Sequence, residues 1–184
     1  MRKDLGIKTY LYPQPVLIIG TYDKQGKPNI MNAAWGMIAD YDKVLICLGS
    51  HKTTDNILEN KDLTISIGDV NHVSSCDYVG LVSQNKEPNK VEKSLFTTSK
   101  AKHVNAPIIN ELSLCLECRL NKVIDDEWFL VDIINVSADE SILDKNNHID
   151  LNKFIPISFD PSNNAYIKVN GKVGDAFKEG KKLF

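Results

Sequence analysis

Two long runs of alternating apolar and polar residues, Glu111 to Ile124 and Trp128 to Ser137, are separated only by Asp125-Asp126-Glu127. Alternation with period two sends successive side chains to opposite faces of an extended strand, and an acidic turn this short joins two such strands as an antiparallel hairpin. A chain that must accommodate this hairpin builds its core around a sheet. The same pattern recurs upstream. Val16 to Tyr22 is a β-branched, apolar run that follows Pro13 and Pro15, "DKQGKPN" is a turn in which Gly26 can take positive φ, and Ile30 to Met37 reads as the returning strand. Val44 to Leu48, Leu63 to Gly68 and Ala165 to Val169 add three more short strands.

Helices are few. Thr53 or Thr54 can cap one whose apolar residues Ile57 and Leu58 share a face. Val73 to Ser83 reads as a second, with Ser74 or Ser75 near its start and Gly80 weakening it. Gln84 to Val104 is polar and rich in lysine, and is expected to be a loop or a mobile excursion. The helices do not alternate regularly with strands, which disfavours a doubly wound parallel sheet. A mostly antiparallel barrel with a few helical insertions is expected instead. With 184 residues, 42 % of them hydrophobic, one domain spanning residues 1–184 can bury its core without covalent staples.

The net charge of −2 and the even mixing of lysines with acids leave no basic field for nucleic acid. The N-terminal apolar stretch is short and broken by Pro13 and Pro15, so neither a signal peptide nor a membrane span is expected. Of the four cysteines, Cys115 and Cys118 are three apart inside a strand-like run and point to opposite faces, which disfavours a disulfide. Buried reduced thiols and a cytoplasmic location are the expectation. His51, His72, His103 and His148 show no metal-ligand spacing, and no nucleophile–base elbow is present. Chemistry carried by a cofactor accounts for a chain with no catalytic side-chain set.

Two strings can hold such a cofactor. Ser50-His51-Lys52-Thr53-Thr54 lies between a strand end and a helix start, where backbone N–H groups are unpaired and the helix dipole is positive. Its hydroxyls and the Lys52 charge suit a phosphate. Taken alone, the string also reads as a plain N-cap, with Asp55 answering the dipole. Asn32-Ala33-Ala34-Trp35 sets small residues beside a large aromatic, as in a core strand or beside a flat ring. Asn29 and Asn32 each need polar partners wherever they are buried.

The order of four segments, "YPQPVLIIGTYDKQGKPNIMNAAW", "SHKTTDNI", "LVSQNKEPNKV" and "APIINELSLCLECRL", resembles the flavin reductase-like, FMN-binding split-barrel proteins, and among them the flavoredoxin branch. The resemblance runs from about Tyr12 to about Val136. It implies a split β-barrel homodimer with FMN in a cleft between subunits. Asn32, Ala33, Ala34 and Trp35 would then border the flavin ring, and Ser50, His51, Lys52, Thr53 and Thr54 would surround the phosphate. Val82, Ser83, Gln84 and Lys90 would lie near the flavin. NAD(P)H or a protein partner would exchange electrons with it. Relatives often read Ser-Gly and then Asp-Lys-Phe where this chain has Ser83-Gln84 and Asn89-Lys90-Val91, and the strand "WFLVDIINV" lacks the histidine common in the reductase branch. Two other readings are a non-catalytic flavin-binding protein, its ring covered by the segment from Gln84 to Lys100, and a split-barrel relative that holds pyridoxal phosphate or a deazaflavin.

Overall fold

The computed structural model describes residues 1–184. Its main sheet draws on strands from the first 138 residues. β1 (Gln14–Pro15) leads into β2 (Leu17–Tyr22), β3 (Pro28–Ala33), β4 (Gly36–Asp40) and β5 (Lys43–Cys47). Helix α1 (Lys52–Asn60) is followed by β6 (Asp62–Ile67), α2 (Val73–Leu81) and the single turn α3 (Lys90–Lys93). The short β7 (Thr98–Lys100) and β8 (Pro107–Ile109) precede the long hairpin β9 (Leu114–Ile124) and β10 (Trp128–Ala138). β11 (Ile157–Asp160) and β12 (Ala165–Lys168) close the series. The chain is mainly β with a few helical insertions, as its strand-rich pattern implies. No helix is long and apolar enough to cross a membrane.

Seven strands form one antiparallel sheet in the order β3-β2-β6-β9-β10-β5-β4. The consecutive strands β3 and β4 therefore occupy opposite edges, joined only by Ala34 and Trp35. A link of two residues cannot cross a flat sheet of seven strands, so the sheet curls until its edges nearly meet. This corrects the reading of Ile30 to Met37 as one returning strand. The chain leaves one edge at Ala33 and enters the other at Gly36, where the Trp35 carbonyl accepts a hydrogen bond from the Cys47 N–H at 2.8 Å.

The continuous apolar run of β2 is explained by cover on both faces. Leu17 and Ile19 join one core cluster, with Val44, Ile46, Leu63, Cys118 and Phe129. Val16 and Ile18 face a second cluster, with Ile30, Cys76, Val79, Phe96 and Ile157. Each fully buried aliphatic or aromatic side chain in these layers contributes about 1.5–3 kcal/mol. Local turn chemistry agrees with the sequence. Gly26 takes φ 76°, and Asp125 and Asp126 take φ 51° and 59°, the left-handed pair that a tight right-twisting hairpin requires.

Other local readings are corrected. The N-cap of α1 is His51 rather than Thr53 or Thr54, and the Thr54 hydroxyl closes the first turn by bonding the His51 N–H and C=O. Ile57 is buried but Leu58 is exposed, because adjacent helical residues sit about 100° apart. The inner face of α1 is instead Thr53, Asn56 and Ile57, at helical spacing. The segment from Gln84 to Val104 is more than a loop: it contains α3 and β7, and β7 pairs with β8. Gln84, Lys90, Ser94 and Phe96 are all buried there. The four cysteines are free, with Cys76, Cys115 and Cys118 buried.

Candidate functional site

Helix α1 is fastened to the sheet by amides. Asn56 Nδ2 donates to Thr21 Oγ1 at 3.0 Å, Asn60 Nδ2 to the Tyr22 carbonyl at 2.5 Å, and Asn29 Nδ2 to Thr53 Oγ1 at 2.6 Å. These bonds aim the start of α1, with its unpaired first-turn N–H groups, into a cleft of about 240 Å³. Asn29, Met31 and Asn32 of β3 form one wall, and His51, Lys52 and Thr53 a second. The third runs from Val79 at the end of α2 through Gln84, and Lys90 completes the lining. Gln84 is held by its Nε2, which donates to the Pro28 carbonyl at 2.9 Å.

The electrostatics of this cleft favour an anion. Lys90 is 3 % exposed, makes no ion pair, and burial pushes its pKa down to about 8. Its charge is thus a cost to folding below about pH 8, relieved as pH climbs from about 8 towards the ordinary 10.5. A buried cation facing a hollow without a counter-charge is satisfied by an anionic ligand. Asn29 Oδ1 and Gln84 Oε1 are buried with no donor. Each unmet acceptor costs about 1–3 kcal/mol, which a hydroxyl-bearing ligand can offset.

A second hollow of about 260 Å³ adjoins the first and shares Asn32, Gly80 and Leu81 with it. Val16, Ala33, Ala34, Asp77, Phe159 and Tyr166 complete its lining. The close approach at the junction depends on Gly80: a Cβ there would stand 3.2 Å from Asn32 Cβ. One end of the composite cleft is polar and cationic, and the other is formed mainly by small, apolar and aromatic side chains, with Asp77 and Asn32 among them.

Of the residues singled out from the sequence, Asn32, His51, Lys52, Thr53, Val82, Ser83, Gln84 and Lys90 converge on the first cleft, and Ala33 and Ala34 on the second. Three are placed differently. Ser50 is exposed and outside the lining, and Thr54 spends its hydroxyl on the helix cap. Trp35 lines a separate apolar hollow with Leu11, Met37 and Trp128. Sequence reasoning missed the α2 wall, Val79 to Leu81, although Gly80 inside the expected helix was its signal. It also missed Asp77, Phe159 and Tyr166, for which no local pattern exists.

The flavin reductase like domain model matches residues 9–161. The flavoredoxin of Desulfovibrio vulgaris (Miyazaki F) superposes with a TM-score of 0.94 at 34 % identity, over 98 % of this chain and 100 % of that one. The flavoredoxin of Methanosarcina acetivorans gives 0.87 at 30 % identity, over the whole of both chains. An FMN-binding domain of a flavin reductases-like enzyme from Shewanella baltica OS155 shares the fold, with a TM-score of 0.79 at 18 % identity over 88 % and 89 % of the two chains. The curled sheet is thus a split β-barrel, and the function is flavin-linked redox chemistry of the reductase-like kind. The chain belongs to the flavin reductase-like family.

Proposed function

We propose that the composite cleft binds FMN and that the protein uses it as an NAD(P)H-dependent flavin reductase or as a flavoredoxin-like electron carrier. The observation that carries this reading is the meeting of Lys52, the buried and unpaired Lys90 and the α1 N-terminus at one end of a cleft whose other end suits a flat ring. In this reading Lys52, Thr53 and Lys90 hold the phosphate, with His51 beside them. Ser50 and Thr54 act through the backbone of the cap. Asn29 and Gln84 accept hydrogen bonds from the ribityl hydroxyls, Val82 and Ser83 edge the chain between them, and Asn32, Ala33 and Ala34 border the ring. Val16 and Tyr166 face the same hollow, which supports reading residues 1–184 as one flavin-binding unit. When bound, the flavin supplies the redox chemistry; the protein binds it, orients it and keeps water from it. Free buried thiols agree with a cytoplasmic setting.

The test is anaerobic addition of NADH or NADPH to FMN-loaded protein. Loss of the visible flavin bands identifies a reductase. Bands that persist with both nucleotides but vanish with dithionite identify a carrier fed by another donor. If the purified protein neither carries nor takes up FMN, the reading is wrong.

A homodimer is part of the same proposal. Trp35, Met37, Ile38 and Tyr41 on and beside the edge strand β4 are largely exposed, as is Leu11. Together with Trp128, several of them frame an apolar hollow of about 420 Å³. Contiguous exposure of this kind marks an association surface. The expected solution mass is twice the 20.6 kDa of the chain, and Ile38→Glu is expected to shift it towards the monomer. A light-scattering mass of one chain at micromolar concentration, with FMN bound, excludes the dimer.

Lys90 also predicts a pH dependence. Below about pH 8 it is charged and ready for the phosphate; above that, binding must take up a proton. FMN affinity is therefore expected to fall by up to about tenfold per pH unit above about pH 8. Riboflavin, which lacks the phosphate, should show no such fall. Parallel pH profiles for the two flavins would remove Lys90 from the phosphate site.

A further inference from the structure

The second hollow contains a pair of groups that phosphate binding leaves unused. Tyr166 of β12 stands directly opposite Phe159 of β11, their rings edge to face with centroids 6.3 Å apart. The Tyr166 hydroxyl donates to Asp77 Oδ1 at 2.8 Å and receives a long contact of 3.4 Å from Asn32 Nδ2. Asn32 is itself anchored on the Cys76 carbonyl at 2.9 Å. Tyr166 and Asp77 both line the hollow beside Ala33 and Ala34. Burial first, and then the Asp77 hydrogen bond, push the phenol up to about 12, so it keeps its proton throughout the neutral range. With that proton committed to the carboxylate, the phenol offers the hollow an acceptor oxygen backed by a negative charge. β12 lies beyond residues 9–161, so the shared domain pattern does not assign this residue.

We propose that Tyr166 and Asp77 are a positioning pair that sets the redox poise of the flavin ring seated in this hollow. Asp77 opposes electron uptake by placing a carboxylate beside the ring, and Tyr166 blunts that charge through its hydrogen bond. The inference rests on the flavin reading above. Its physical basis is that a fixed charge in a partly dehydrated site acts on an added charge far more strongly than it would in water. A pair that served packing alone would have no reason to respond with opposite signs when each member is changed.

The experiment is an equilibrium titration of the FMN-loaded full chain with dithionite against a reference dye, for the native protein, Asp77→Asn and Tyr166→Phe. FMN dissociation constants are measured in parallel. Asp77→Asn keeps the shape and removes the charge. At a fixed poise the reduced-to-oxidised ratio is expected to rise about tenfold, which is about 30 mV for a two-electron couple. Tyr166→Phe leaves the carboxylate unshielded, and the ratio is expected to fall several-fold. The double variant should follow Asp77→Asn. The FMN dissociation constants establish that each variant is fully loaded when its ratio is read. Single variants that leave the ratio within about twofold of native, or that move it in the same direction, overturn the pair. If the native protein binds no FMN, the flavin reading fails and takes this inference with it. FMN bound with unmoved potentials sinks the pair alone.

Discussion

Replacing Lys52 with alanine is expected to weaken FMN binding by roughly ten- to a hundred-fold while leaving riboflavin binding almost unchanged. The lysine opens α1 at the cleft, where it adds a full charge to the first-turn N–H groups. Removing one charge-assisted contact costs about 1.5–3 kcal/mol, and each 1.4 kcal/mol is tenfold in affinity. Riboflavin is the internal control because it presents the same ring and chain without the dianion. Fluorescence titration of both flavins decides the matter. Equal weakening of the two would mean that Lys52 acts through the fold, and the phosphate assignment would be lost. Lys90 offers the companion test. Lys90→Met keeps the buried stem and deletes the charge, so it should weaken FMN selectively while relieving the folding cost of a buried ammonium.

Phe129→Ala should produce the opposite profile: a large loss of stability with little change in the ratio of FMN to riboflavin affinity. Phe129 is 2 % exposed and belongs to the cluster that also holds Leu48 and Ile57, one residue group just before and one within the phosphate-facing helix. A Phe→Ala cavity in such a layer costs about 3–5 kcal/mol, a large share of the usual 5–15 kcal/mol of net stability. Urea unfolding of the flavin-free protein measures it, and an unchanged midpoint would show that the site collapses around the truncation. Because Phe129 is not itself part of the cleft lining, both flavins should suffer alike from any loosening of α1. Together the two substitutions separate a residue that recognises the phosphate from one that merely keeps the recognising helix in place.

What could be read in advance divides along physical lines. The hairpin of β9 and β10, its turn at Asp125 and Asp126, the turn at Gly26 and the existence of α1 were legible because each depends on residues a few positions apart. The order of short segments identified the family, and with it most of the first cleft: Lys52, Thr53, Gln84 and Lys90 all line it. Alternation also told which strand residues share a face, but not which strand would pair with which. That β2 pairs with β6, that β6 pairs with β9, and that β3 and β4 take opposite edges were decided only by tertiary structure, since register and neighbours follow from the packing of distant faces. The same reason hid the burial of Lys90 and the anchoring of Gln84 on Pro28, because a polar segment looks like solvent-exposed loop until another element covers it. It hid the far side of the second hollow, of which only Asn32, Ala33 and Ala34 were legible. Tyr166 and Asp77 are 89 positions apart, and only the sheet that returns β12 to α2 gives the phenol its carboxylate.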